Sequence, residues 1–187
     1  MKVGKQVYQG KTKKGNEISI RYPLSTDLKS LFSYINTLSE EQTFIRFQGE
    51  QVSLAEEKKY LDSQMEKIAK REAVKLLVFH GEELIGVADI VMLDRIESHI
   101  GSFGITIAKG YRNEGIGKLL MKLALDEALK NLPQLKIVKL GIFEGNDIAY
   151  KMYKRFGFKE YGKLPKGVKF RGGFIDHIYM YKQVRET

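Results

Sequence analysis

The residues best suited to chemistry fall in two clusters. The first is Arg112-Asn113-Glu114-Gly115-Ile116-Gly117-Lys118. Glycines at 115 and 117 lack side chains, so another group can approach the backbone closely there. Apolar residues at 119, 120, 123, 124 and 128 follow at helical spacing. The first N–H groups of a helix have no partner within it and lie at the positive end of its dipole. Such a place binds phosphate. Two familiar phosphate loops are excluded by the details. A Walker A loop needs Gly-Lys-Ser/Thr, but Leu119 follows Gly117-Lys118. A dinucleotide fingerprint needs a third glycine, where this chain has Leu120.

The second cluster is Asn146-Asp-Ile-Ala149-Tyr-Lys-Met-Tyr153-Lys-Arg-Phe156-Gly157-Phe158. Asn146 is a good helix N-cap. Ala149, Tyr153 and Phe156 share one helix face, with Met152 beside them. Gly157 is a helix-ending residue, and Phe158 opens the next strand.

Taken together, Arg-x-x-Gly-x-Gly and Asn-x-x-Ala-x-x-x-Tyr-x-x-x-Gly-Phe resemble the acetyl-CoA-binding motifs of the GNAT superfamily of N-acetyltransferases. The resemblance is close over residues 74–158 and loose before them. It implies acetyl-CoA as cosubstrate and an amine as acceptor. Carried over by position, the backbone of Ile105, Thr106 and Ile107 pairs with pantetheine. Arg112, Asn113, Glu114, Gly115, Ile116, Gly117 and Lys118 hold the pyrophosphate, mostly through N–H groups. Asn146 bonds the pantetheine or acetyl region. Tyr153 stands at the thiol and is the expected acid for the leaving thiolate. On spacing alone, Tyr153 also reads as a core residue.

The base is less well marked. Many relatives carry a glutamate on the strand before the glycine loop. Here that strand reads His99-Ile-Gly-Ser102-Phe-Gly104, with no acid inside it. Glu144, at the end of the following strand, is the best single candidate for the catalytic base. Ser102 can order a water, His99 and Glu97 lie at a strand start, and Asp89 reads as a paired structural carboxylate. Proton loss to ordered water is the alternative. His177 and Asp176 on the final strand resemble the acceptor-pocket segment of relatives that acetylate small amines or amino-acid-like compounds; the same stretch also reads as an amphipathic strand.

Composition narrows the remaining choices. The 187 residues suit one domain, 1–187, with the hairpin at 1–22 and the strands at 159–187 as parts of it. The chain has no cysteine, so a thiol cannot carry the acetyl group and direct transfer in a ternary complex is expected. The three histidines lie far apart, and no metal is expected. The absence of an apolar leader or span points to a cytoplasmic location with no membrane partner.

The net charge of +9 lies wholly in the two ends: +5 in residues 1–21 and +4 in 159–187, with 19 charges of each sign between. Such ends read as solvated lysines or as a surface for an acidic partner. No aromatic-rich basic motif supports nucleic acid as that partner. A homodimer is an assembly the sequence leaves open. So are two other functions: a protein lysine or N-terminal acetyltransferase, and a non-catalytic acetyl-CoA-binding regulatory module.

The elements that must position these residues are legible from periodicity. A hairpin occupies 1–22, and a helix capped by Ser25 or Thr26 runs to about Leu38. Ser53 and Glu56 form a capping box for a helix to about Arg71. Strands follow at 73–79, 84–93 and 98–108, then the glycine-loop helix, a strand at 137–143 and the Tyr153 helix. A loop at 162–173, with Pro165 and Gly167, precedes a last strand at 174–184. This order is α+β: a mixed, mostly antiparallel sheet flanked by helices. The resemblance adds a splayed parallel strand pair to it. Because pyrophosphate takes the glycine-loop end, the acceptor is expected across that gap, bordered by 23–53 and 162–178. Lys166, Lys169 and Arg171 make the rim basic, which favours an acidic acceptor.

Overall fold

The computed structural model describes residues 3–186. Eight strands form one sheet in the order β1-β2-β3-β4-β5-β6-β8-β7. In chain order, β1 (Gln6–Lys11) and β2 (Glu17–Arg21) make the N-terminal hairpin. Helices α1 (Leu28–Glu40) and α2 (Leu54–Ala69) follow. Then come β3 (Ala73–His80), β4 (Glu83–Met92) and β5 (Ile100–Ile107). Helix α3 (Ile116–Asn131), β6 (Ile137–Phe143) and α4 (Asp147–Arg155) carry the two motifs. The hairpin of β7 (Lys159–Phe170) and β8 (Gly173–Gln183) closes the sheet.

The helices cover opposite faces. On one face, Ile116, Leu120, Met121 and Ala124 of α3 pack on Val74, Leu76, Ile85, Ala88 and Ile90, and Tyr153 of α4 joins the same cluster. On the other, Leu31 and Leu38 of α1 and Leu61 of α2 pack on Leu77, Phe79 and Leu84. Strands β3 and β4 are covered on both faces, which is why β3 is buried at every residue but its last. Full burial of a leucine such as Leu120 contributes about 1.5–3 kcal/mol.

The structure corrects two sequence expectations. Ser25 and Thr26 do not cap α1; they fill a short 3-10 turn before it. The N-cap position belongs to Asp27, whose side chain makes no capping bond; its carboxylate turns back to accept the Leu24 N–H at 2.7 Å and to hold both guanidinium nitrogens of Arg21 at 2.7 Å. Second, residues 162–173 are not a loop. They continue β7 to Phe170 and turn directly into β8, pairing Val168 with Ile175 and Lys169 with Phe174. The register shifts between Leu164 and Val168, so Pro165 and Gly167 sit in a bulge of an edge strand. That is where proline is tolerated, because it has no N–H to give the ladder.

Candidate active site

The glycine loop is held from behind rather than from within. Asn113 (φ 66°) and Gly115 (φ 87°) both take the left-handed conformation, and Gly115 is the N-cap of α3. Glycine enters that region without strain. The first bond of the turn runs from Leu119 N–H to the Gly115 carbonyl, 3.1 Å. The N–H groups of 116–118 therefore have no partner within the helix. A Cβ on Gly117 would make only ordinary contacts with Ile107 and Met152, at 3.8 and 3.9 Å.

Two side chains of the loop point elsewhere than the sequence suggests. Glu114 is buried and turns into the N-terminal hairpin. It accepts from Thr12 Oγ1 at 2.7 Å and Asn16 Nδ2 at 2.9 Å, with Lys14 Nζ at 3.4 Å. The Thr12 bond, above all, holds its carboxyl below the usual range. Arg112 donates from Nε to the Ile107 carbonyl at 2.9 Å and pairs with Glu41 at the end of α1. Both side chains are struts for the loop. Backbone N–H groups and Lys118, exposed on the first turn of α3, are what the loop presents to an anion.

The parallel pair of strands parts beside this loop. β5 and β6 pair only at Ile100–Ser102 with Ile137–Lys139. The Ile137 N–H donates to the His99 carbonyl at 3.2 Å. Odd-numbered residues of β5 therefore turn their N–H and C=O towards β6, since successive residues alternate. The Ser102–Lys139 pairing uses the Phe103 N–H, so beyond it the Phe103 carbonyl and both backbone groups of Ile105 face an opening. Ile107 faces it too, but Arg112 takes its carbonyl. Thr106 faces the other way: its backbone lies against Val87 of β4, and its Oγ1 accepts from the Tyr34 hydroxyl at 3.0 Å.

Helix α4 brings Tyr153 to the parting point. Tyr153 is 7% exposed, edge-on to Phe103 at 6.2 Å and tilted against Phe158 at 6.0 Å. Among the described residues its hydroxyl has no hydrogen-bond partner. Burial pushes its pKa up to about 12, so the phenol holds its proton at neutral pH. Asn146 caps the same helix, its Oδ1 accepting the Ala149 N–H at 3.4 Å. Gly157 (φ 84°) ends it.

The structure does not bring Glu144 to this opening. Its N–H donates to the Asp176 carbonyl at 3.0 Å, and its Oε2 accepts the Asp176 N–H at 3.1 Å. The carboxylate thus extends the β6–β8 ladder, on the side of β6 away from β5. It lines a cleft of 310 Å³ beside the start of α4 with Asn146, Tyr150 and Lys163. Asp89 is paired, as its strand position suggests, with Lys75 at 3.0 Å. Tyr34, Glu41 and Lys75 escape a reading of the sequence: no local pattern marks them, and each acts on a residue at least 14 positions away.

The regions expected to border the acceptor do meet. Phe44 stacks on Phe170 with ring centres 5.1 Å apart, and Arg171 donates to the Gln42 carbonyl at 3.3 Å. The β7–β8 hairpin therefore reaches across to the segment after α1.

This combination defines an acyl-transfer fold with a parted parallel pair at a helix start. The sequence matches the acetyltransferase (GNAT) family over residues 35–158. The chain belongs to that family of acetyl-CoA-dependent N-acetyltransferases. It is 30% identical over 117 residues to the L-amino acid N-acetyltransferase AaaT of Escherichia coli (strain K12), covering 62% of this chain and 72% of that protein. Its fold is similar to a GNAT acetyltransferase from Streptococcus pneumoniae, with TM-score 0.82 and 27% identity over 90% of this chain and all (100%) of the other. It also superimposes on yncA of Salmonella typhimurium, solved with its cofactor acetyl-CoA: TM-score 0.78, 15% identity, 91% of this chain and 95% of that one.

Proposed function

We propose that this enzyme passes acetyl directly from acetyl-CoA to the primary amine of a small molecule, with an amino-acid-like compound as the preferred class. One observation carries the reading. The strands part at Phe103, and the ring packed edge-on to Phe103 is Tyr153, with a free hydroxyl that keeps its proton. An opening lined with strand amides and a proton donor at its inner end is what a thioester donor needs. The whole chain serves as one catalytic domain, since a single sheet runs from the first hairpin to the last.

The residues fit the cosubstrate. The N–H groups of 116–118 and the cationic Lys118 suit a pyrophosphate. The Phe103 carbonyl and the Ile105 backbone groups suit the amides of a pantetheine arm. Acetyl-CoA supplies the acetyl group as an activated thioester. The Ile105 N–H is placed to hold a carbonyl oxygen as negative charge grows on it. Tyr153 gives its proton to the sulfur that leaves. Glu144 is tied to Asp176, so the attacking amine loses its proton to solvent rather than to that carboxylate.

The test is an acetylation screen of L-amino acids, polyamines, simple amines and peptides with acetyl-CoA. Turnover on small amines is the expected result. Turnover confined to peptides would make it a protein acetyltransferase. Acetyl-CoA binding with no turnover on any amine would make it a binding module.

A further inference from the structure

We infer that Asp89 is the binding point for the acceptor's charged amino group, on the open floor made by Gly104 and Gly141. The inference rests on the acetyltransferase reading above and names where its second substrate sits.

The position follows from register. Asp89 lies opposite Gly104 on β5, and Lys75 lies opposite Asp89 on β3. All are on the sheet face that meets α2, as Val87 and Leu77 are. Lys75 is 2% exposed and donates to Asp89 Oδ2 and to the Tyr60 hydroxyl, both at 3.0 Å. Burial opposes its charge, but Asp89 and Tyr60 outweigh this and hold its amine above the ordinary lysine value. Lys75 therefore stays cationic and anchors one carboxylate oxygen of Asp89.

The other oxygen is free. Among the described residues Asp89 Oδ1 has no hydrogen-bond partner, and the side chain is 21% exposed. It leans over Gly104, where an added Cβ would lie 3.2 Å from it. Any larger residue at 104 would cover the oxygen. Gly104 and Gly141, on the two strands that part, are both exposed. His177 points its Nε2 edge at Gly141, 2.3 Å from where a Cβ would stand, and packs against Tyr179 at 4.4 Å. Burial, then Arg46, lowers the His177 pKa, so the imidazole is neutral at neutral pH.

The floor thus has a fixed carboxylate on one side and neutral aromatic rings on the other. It lies on the reverse of the β5 stretch that Tyr153 packs against. A primary ammonium with an apolar or aromatic body suits that pair of walls. Carboxylate-to-ammonium bonds are the strong class. Release of one proton to water then leaves the amine beside the parted strands, ready to attack.

The experiment compares two probes of similar body. Benzylamine is an ammonium at neutral pH; O-benzylhydroxylamine is not. Asp89→Asn keeps the shape and removes the charge. It should raise the benzylamine KM on the order of 10- to 100-fold and change the O-benzylhydroxylamine KM less than about threefold. Acetyl-CoA affinity should be unchanged. Equal losses for both probes, or no loss for either, overturn the assignment. So does a wild type that acetylates only O-benzylhydroxylamine. Should Asp89→Asn fail to fold, Gly104→Ala decides: a methyl there covers Oδ1 and should raise the benzylamine KM with acetyl-CoA affinity intact. An unchanged KM in that variant is equally fatal. A wild type that binds acetyl-CoA but acetylates no amine instead refutes the function itself.

Discussion

On the α4 side of β5, Phe103 is 6% exposed and packs edge-on to Tyr153. On the α2 side, its neighbour Gly104 is open and has a carboxylate leaning over it. One strand thus separates an apolar compartment from a polar one. The apolar compartment raises the Tyr153 pKa and so keeps a proton available. The polar one holds an ion pair of buried Lys75 with partly exposed Asp89. A proton donor needs a dry environment, whereas a site for a charged substrate needs a fixed counter-charge. The sheet lets each have its own surroundings within a few ångströms of the same backbone.

Removing the proposed proton donor should have the largest effect. Tyr153→Phe should keep acetyl-CoA affinity and lower turnover on the order of 10²–10⁴-fold. Rates close to wild type, with chemistry limiting, would return Tyr153 to the core and leave the apolar face with packing alone. The same residue sets a pH expectation. Its pKa of about 12 means that the acid form persists as the amine deprotonates. Activity should rise through the amine's own pKa and show no Tyr153-linked fall below about pH 10. An alkaline limb near pH 9 that vanishes in Tyr153→Phe would contradict this.

The glycine loop comes next. Gly115→Glu and Gly117→Glu place negative charge at the start of α3, and the first also strains a left-handed position. CoA affinity by calorimetry should fall on the order of 100-fold. Unchanged affinity in both variants would move the pyrophosphate elsewhere.

The polar face is tested by Lys75→Met. It strands the Asp89 charge beside α2 and should destabilise by about 2–4 kcal/mol in denaturant unfolding, reduced from a fully buried pair by the partial exposure of Asp89. A loss under about 0.5 kcal/mol would mean that water already compensates the carboxylate.

The smallest effect is expected at the hairpin rim. Neutralising Lys166, Lys169 and Arg171 together should move the acceptor KM less than about threefold and in a salt-dependent way, as exposed charges do. A large, acid-selective change would shift substrate choice from the sheet floor to the rim.

The apolar side was far more legible in the sequence than the polar one. Asn146, Tyr153 and Gly157 lie on one short helix, and their spacing alone announces cap, face and end. The glycine loop likewise carries its conformation in adjacent residues. Glu114 did not: it falls within the loop motif, but its partners Thr12 and Asn16 are about a hundred positions earlier. The Asp27 carboxylate turns away from α1 to Arg21 of the hairpin, which no helix-start pattern signals. The β7 strand was hidden by Pro165 and Gly167, which signal a loop unless the bulge that absorbs them is known. Asp89 reads as a paired carboxylate from its strand. Its free oxygen over Gly104 appears only once β4 and β5 are in register.

The early parting of β5 from β6 has a consequence for donor choice. A half-ladder of peptide groups recognises amides by position and is indifferent to the side chains on either face. Acyl carriers whose arm repeats amide spacing will be accepted on that account, and small activated acids such as acetyl phosphate will find little to grip. On the proposed reading, donor preference would be written in main chain, where substitution scarcely reaches it, while acceptor preference would be left to side chains and free to drift.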